Sequence, residues 1–270
     1  MATVTLLTDF GLRDEYVGVM EGVIAGLAPG ARVIHVTHGI APQAVLQGAL
    51  ALERAVPYLP VGVHVAVVDP GVGSSRLAVA LRTADGRTLV GPDNGLLLRA
   101  ADGAGGVVEA RAIANADLFL EPLSATFHGR DVFAPVAAHL AAGLAFAAVG
   151  PAIEPASLVR LVVPEPVVGD GRLGAVALGI DRFGNVALNA SGRELDAAGL
   201  VGPGPIEVDA GGTRVHARRA PTFGDARAGE VVVFDDASGR AALAVASGSF
   251  VDVCPVALGD AVLLSLVPSA

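Results

Sequence analysis

The chain changes its hydrophobic period near residue 155, and this change constrains its fold more than any other feature. Before it, short β-like runs alternate with helical stripes. Residues 4–8 are apolar and end at Asp9-Phe10-Gly11. Residues 15–27 place Tyr16, Val17, Val19, Met20, Val23, Ile24 and Leu27 on a helical stripe, stopped by Pro29-Gly30. Residues 32–37 predict a strand, 43–56 a helix ended at Pro57, and 63–68 a strand buried on both faces. Residues 77–81 and 88–90 predict a hairpin that turns at Ala84-Asp85-Gly86. A short helix over 95–101, a strand over 107–110 and a helix over 131–142 complete this half. Such alternation predicts an α/β domain with a largely parallel central sheet.

Beyond residue 155, Pro155, Pro164 and Pro166 punctuate a linker. Short β-rich runs follow at 173–180, 186–189, 206–208, 214–217, 230–234, 241–245 and 262–266, separated by Gly or Asp turns. Only 194–198 reads as helical. Antiparallel strands at this spacing predict a small barrel or sandwich. The expected organisation is an N-terminal α/β domain over residues 1–160 and a smaller, barrel-like all-β domain over 168–270.

Composition narrows the function classes. At 53% hydrophobic and 17% charged residues, 270 residues are ample for a folded core and unlike a disordered chain. The net charge of −9, with no basic cluster beyond Arg218-Arg219, argues against nucleic acid as a partner. Every basic residue is Arg, a bias of GC-rich bacterial coding. Cys254 is the sole cysteine, so no intrachain disulfide forms, and an inert core role is expected for it. The N-terminus lacks the pattern of a signal peptide. The longest apolar stretch, 136–150, contains His139 and falls short of the ~20 residues a membrane span needs. Cytoplasm, with no membrane association, is the expected location.

Polar clusters interrupt the apolar runs where strands end. They are Thr8-Asp9-Phe10-Gly11 with Asp14, Asp69-Pro70-Gly71-Val72-Gly73 with Arg76, Pro92-Asp93-Asn94-Gly95, and Phe127-His128-Gly129-Arg130-Asp131. In open α/β sheets, ligands bind outside the carboxyl ends of strands, where Asp9 and Asp69 fall. Taken singly, either Asp is better explained by a turn or a helix cap. The glycine-rich run 70–76 lacks the Gly-Lys-Ser/Thr of a phosphate loop and the third glycine of a dinucleotide fingerprint. His35 and His38 sit on a predicted strand with no third ligand at metal spacing, so they read as structural. In the second half, Phe183 and Asn185 offer an aromatic face and an amide edge to a purine, although taken alone a β-turn using Gly184 and Asn185 explains them better. Residue types and spacing thus give ligand loops in both halves, but no reaction.

Taken together and in order, these motifs resemble the S-adenosylmethionine hydroxide adenosyltransferases, relatives of the bacterial fluorinase and chlorinase. The resemblance spans nearly the whole chain: TDFG with Asp14 and Tyr16-Val17-Gly18, VVDPGVG with Arg76, PDNG, the run 127–143, and IDRFGNVALN from Ile180 to Asn189. It implies an α/β domain and a barrel-like domain assembled as a homotrimer, with active sites between subunits. It implies that Asp9 holds the ribose hydroxyls and that Asp14 and Asp181 contact the methionine end. Phe183, Asn185 and Phe223 would then surround the adenine. Asp69, Arg76 and His128 match the catalytic triad of the water-using branch; the fluorinase carries Tyr, Tyr and Ser at the positions of Asp69, His128 and Gly129. The chain departs from the family at Asp236-Ala237, where Asn-Ser is usual and Ser238 is the candidate substitute, at His35 for a common Asp, and at Arg240 for a common aromatic.

The implied reaction is hydrolysis of S-adenosyl-L-methionine by water or hydroxide at ribose C5′, giving adenosine and L-methionine, with no metal and no redox cofactor. Two alternatives stand beside it. One is a chloride-using halogenase, disfavoured by the acidic Asp69 beside the nucleophile. The other is a non-catalytic module that binds S-adenosylmethionine or adenosine.

Overall fold

The computed structural model describes residues 2–202 and 204–267, with Phe223 described by its backbone alone. The chain divides between Leu161 and Val162 into two compact units. The first unit follows the order β1 (Thr3–Thr8), α1 (Tyr16–Leu27), β2 (Arg32–Thr37), α2 (Val45–Ala55), β3 (Val63–Val67), β4 (Ala78–Thr83), β5 (Thr88–Pro92), α3 (Leu98–Gly103), β6 (Val107–Ala112), α4 (Ala134–Ala141) and β7 (Ala152–Ile153). A single π-helical turn, Gly129–Phe133, leads into α4.

The seven strands form one sheet in the order β2-β1-β3-β5-β4-β6-β7. β1 pairs in parallel with β2 and β3, and β3 with β5, whereas β4 runs against both β5 and β6. The largely parallel sheet read from the sequence is therefore present, with the expected β4–β5 hairpin inserted as its one interruption before the short edge strand β7.

Strand alternation feeds two cores, because successive side chains point to opposite faces. Val4, Leu6, Val65 and Val67 join Met20 and Ile24 of α1 and Phe133, Val136 and Ala137 near α4. Leu7, Ala66 and Val68 join Ala49 and Leu52 of α2 and Leu98 of α3. Helices on both faces are what a strand as apolar as β3 requires, and every residue of β3 is buried.

The second unit contains β8 (Val167–Gly169), β9 (Arg172–Ile180), β10 (Val186–Ser191), α5 (Gly192–Ala197), β11 (Pro205–Ala210), β12 (Thr213–Arg219), β13 (Val231–Asp235), β14 (Arg240–Val245), α6 (Phe250–Val253) and β15 (Ala261–Leu266). Its strands follow β10-β14-β13-β12-β11-β15-β9, and β9 pairs back onto β10, which closes a barrel with β8 appended to β9. All of these pairings are antiparallel except β12–β13, which is parallel. Leu173, Val186, Leu188, Val208, Leu243, Phe250 and Cys254 fill the interior, so Cys254 takes its expected core role. A capping box starts α5, with Ser191 and Glu194 bonded to each other and to the helix start. The sequence reading missed α6, whose four residues are too few to show a helical stripe.

His64 of β3 lies opposite Thr5 of β1 and shares a 3.0 Å bond between its Nδ1 and the Thr5 hydroxyl. Burial, then the nearby Arg87 cation, hold its pKa down from 6.5 to about 4. The unfolded chain therefore binds a proton that the folded chain refuses between those values, and stability falls as pH drops through them. Urea unfolding at pH 7 and pH 5 should show the native chain losing about 2 kcal/mol more than His64→Asn, which keeps a partner for Thr5. Equal losses in the two proteins would contradict this assignment.

Candidate active site

The connections of the first sheet decide where a ligand can sit. The chain leaves β1 for β2 on one side, then returns through α2 to β3 on the other side of β1. The crevice beyond the carboxyl ends of β1 and β3 is thus a topological switch point, the preferred ligand position in such sheets. Asp9 follows β1 directly and Asp69 follows β3 within two residues, on neighbouring parallel strands.

Asp69 begins a tight loop that returns the chain to it. Val72 N–H donates to the Asp69 carbonyl at 3.2 Å, and Ser74 bonds Gly71 through both its N–H and its hydroxyl. Gly73 takes φ +77, and a Cβ there would come within 2.7 Å of the Ala125 carbonyl. The glycine therefore lets this loop lie directly against the segment that leads to His128. Arg76 then reaches back seven residues. Its Nε donates to both Asp69 carboxylate oxygens at 3.0 Å, and its Nη2 donates to Asp69 Oδ2 as well. The Asp69 side chain is 5% exposed and that of Arg76 11%, so the pair is largely shielded from screening by water.

The same Arg76 Nη2 lies 2.9 Å from His128 Nδ1. A guanidinium has only donors, so Nδ1 must accept and the proton of the neutral ring must sit on Nε2. Burial lowers the His128 pKa first and the Arg76 charge second, against smaller upward pulls from Asp69 and Asp131. The structure thus joins Asp69, Arg76 and His128 into one hydrogen-bonded unit.

Other side chains hold this unit in place. His128 immediately precedes the π-helical turn, a distortion frequent at functional sites. Asp131, 1% exposed, accepts from Ser124 N–H at 2.8 Å and from Arg130 Nε at 2.6 Å. Burial alone would raise the pKa of Asp131; these bonds and the Arg130 charge reverse that and hold it below the usual range. Fully buried Phe133 lies 5.3 Å beneath the Arg76 guanidinium. Asn94, after β5, donates to the Val68 carbonyl at 2.8 Å and so ties down the strand end that carries Asp69. Asn94, Asp131 and Phe133 all lie within the sequence motifs, but residue type and spacing assign none of them this supporting role.

The remaining candidates fall into two groups. Asp9 accepts the Gln43 N–H at 2.8 Å, and Gln43 adopts φ +66, a backbone state uncommon outside glycine. Exposed Asp14 lines a cavity of about 590 Å³ with Glu21, His35 and His38, and none of the triad residues lines it. His35 and His38 bond each other at 2.8 Å; only His35 lies within β2, and His38 follows it. Among the described residues, no group of three or more His, Cys, Asp or Glu is placed to hold a metal ion.

In the second unit, Asp181, Phe183 and Asn185 form the β9–β10 turn. Asp181 Oδ1 accepts from the N–H groups of Phe183 and Asn185 at 2.8 and 3.0 Å, and Oδ2 from Asn185 Nδ2 at 2.8 Å. Both carboxylate oxygens therefore shape the turn, while Phe183 stands 66% exposed. The β13–β14 turn repeats the plan: Asp236 Oδ1 accepts from the Ser238 N–H, the Ser238 hydroxyl and the Arg240 N–H at 2.8 to 3.0 Å. The Ser238 hydroxyl is thus engaged within its own turn. The side chain of Phe223 lies outside the described residues.

Comparison with known proteins agrees with the motif order. Residues 4–150 match the model of the SAM hydroxide adenosyltransferase N-terminal domain, and residues 175–263 that of its C-terminal domain. The chain is 49% identical over 257 residues to a protein of Salinispora tropica named (R)-S-adenosyl-L-methionine hydrolase, covering 95% of each. It is 28% identical over 268 residues to a fluorinase of an Actinoplanes species, covering 89% of this chain and 90% of that one. The crystal structure of an uncharacterised conserved protein from Thermotoga maritima, 37% identical, superposes with a TM-score of 0.89, covering 97% of this chain and 99% of that one.

The bond from Arg76 makes a spectroscopic prediction. Nitrogen-15 NMR of imidazole-labelled protein should find His128 as the neutral Nε2–H tautomer at pH 7. Arg76→Gln removes a cation and leaves Asp69 unopposed, so the His128 pKa should rise above its value in the native chain. An unchanged or lower pKa in the variant would contradict the linkage.

Proposed function

The chain belongs to the SAM hydroxide adenosyltransferase family, and from that membership we infer that it hydrolyses S-adenosyl-L-methionine to adenosine and L-methionine. The observation that carries the reading is the Asp69–Arg76–His128 unit, set at the switch point beside Asp9. The names of the relatives specify the (R) sulfonium epimer, a distinction no sequence motif revealed, and we take that epimer as the preferred substrate.

The chemistry follows from the leaving group. A sulfonium departs as a neutral thioether, so no acid is needed to expel methionine. The demand falls on the nucleophile. Water must approach C5′ in line with the breaking C5′–S bond, and holding it there is worth ~7 kcal/mol or more of the barrier. As the C5′–O bond forms, the C5′–S electron pair passes to sulfur and the oxygen becomes strongly acidic. Asp69 takes the released proton. A protonated alcohol is a strong acid and surrenders its proton readily to a carboxylate. Arg76 fixes the carboxylate plane and favours hydroxide character in the attacking water. His128, protonated on Nε2, has a donor with which to orient the attacking water through its oxygen. These steps use the side chains of the chain alone, so we assign no metal and no redox cofactor.

Asp9 is assigned to the ribose hydroxyls, and Asp14 and Asp181 to the methionine end. Phe183, Asn185 and Phe223 are assigned to the adenine. Exposure of Phe183 supports a stacking role, since a large apolar ring left at 66% exposure gains by being covered. We extend the reading to a cyclic homotrimer with active sites between subunits. The open face of α1 supports association: a Cβ added at Gly18, Gly22 or Gly26 would meet nothing within 4 Å, so another chain can approach closely there. We assign the enzyme to the cytoplasm. No helix among the described residues is long and apolar enough to cross a membrane, and the single cysteine leaves nothing to gain from an oxidising compartment.

One experiment tests product, epimer and assembly together. Protein sized by light scattering should elute at three times the 26.9 kDa chain mass. That fraction, given separated (R) and (S) epimers in ¹⁸O-water, should place the label in the 5′ hydroxyl of adenosine and consume the (R) form faster. Label in methionine, or no labelled adenosine, would refute attack at C5′, and an active monomer would refute the shared site.

A further inference from the structure

We infer that His38 is a positioning residue for the substrate, holding the Asp9 loop through Thr8; the inference rests on the reading of Asp9 as a ribose ligand. His38 grips this loop on both sides of Asp9. Its ring Nδ1 lies 2.8 Å from the Thr8 hydroxyl, and its main-chain carbonyl accepts the Gly11 N–H at 2.8 Å. The Thr8 hydroxyl also receives the Phe10 N–H at 3.2 Å. Asp9 is therefore bracketed by bonded backbone on each side, and its carboxylate stays in reach of the Gln43 N–H.

The grip has a fixed direction, set from its far end. His35 Nε2 lies 3.3 Å from the Glu21 carboxylate, which only accepts, so that nitrogen donates. In a neutral His35 ring, Nδ1 must then accept, and it lies 2.8 Å from His38 Nε2, which therefore donates. This leaves His38 Nδ1 as an acceptor for the Thr8 hydroxyl proton, and it frees a Thr8 lone pair for the Phe10 N–H. Each bond follows from the one before, from Glu21 on α1 to the loop after β1. Ring burial supports the arrangement: His38 is 6% exposed, and burial, then His35, lower its pKa to about 4 against a smaller upward pull from Glu21. The ring is therefore neutral at pH 7. Asp14 and Glu15 join Glu21 in lining the cavity beside the two rings.

The alternative is that Thr8 and His38, both nearly inaccessible, merely fill the core. Substrate binding separates the two roles. Thr8→Val is isosteric but breaks both hydroxyl bonds, and Thr8→Ser restores them. His38→Asn keeps an acceptor near the Nδ1 position, whereas His38→Gln places its amide at Nε2 and releases Thr8. Titration calorimetry with S-adenosylmethionine on a slow-turnover Asp69→Asn background, beside kcat and KM in the native background, is the test. Thr8→Val and His38→Gln should weaken binding about tenfold and raise KM alike with little change in kcat, the mark of a lost uniform binding contact. Thr8→Ser and His38→Asn should recover most of the affinity. Affinity that is unchanged in Thr8→Val, even with a lowered Tm, would overturn the inference alone, as would a loss confined to kcat. Failure of the native chain to bind or turn over S-adenosylmethionine would instead overturn the assigned function, and the inference with it.

Discussion

Arg76 gripping Asp69 is the interaction on which the candidate site depends. A carboxylate left 5% exposed at a strand end would be costly alone, and the paired guanidinium offsets part of that cost while spending one further donor on His128. One cation thus sets the plane of the Asp69 carboxylate and the tautomer of His128 and, on the proposed assignment, the charge near the attacking oxygen. The surrounding sequence serves this grip. Gly73 brings the loop against the segment before His128, Asn94 anchors Val68, and Phe133 supports the guanidinium from below. Lysine could not replace Arg76, since a single ammonium cannot bond both carboxylate oxygens edge-on and reach a ring nitrogen as a rigid fork.

On the proposed assignment, the carboxylate of this pair favours water over a halide at the site. An anion brought to C5′ would meet a carboxylate in a weakly screened setting, whereas water meets an acceptor for the proton it must lose. Gly129 adds a steric argument. A Cβ there would come within 3.2 Å of Phe10 and of Met20 Sδ, so a serine at this position would have to displace side chains under the ligand loop.

Much of this was legible in the sequence, for physical reasons. β1 and β3 are buried on both faces, so their apolar runs stand out, and their ends are marked by Asp9 and Asp69. The barrel strands alternate with turns that require Gly184 and Gly239 at positive φ, which made the strand spacing visible. The bond from Arg76 to His128 spans 52 residues and depends on Gly73 and the π-helical turn, neither of which leaves a periodic signal. His35 and His38 were read as structural because no third metal ligand followed; their link through Thr8 to the Asp9 loop needed coordinates. The use of both Asp181 oxygens within its own turn was equally hidden, since Asp-Arg-Phe-Gly-Asn reads alike as turn or ligand.

The central claim is that Asp69 acts on the attacking water and does not hold the substrate. Asp69→Asn preserves shape while removing the charge and most of the basicity. Single-turnover rates and calorimetric affinity, measured on this variant and the native chain, decide the matter. The account predicts that the chemical step falls ~10²-fold or more while affinity for S-adenosylmethionine changes little, because a group engaged in the transition state adds little to ground-state binding. Normal turnover, or a loss of affinity with the rate constant intact, would contradict it.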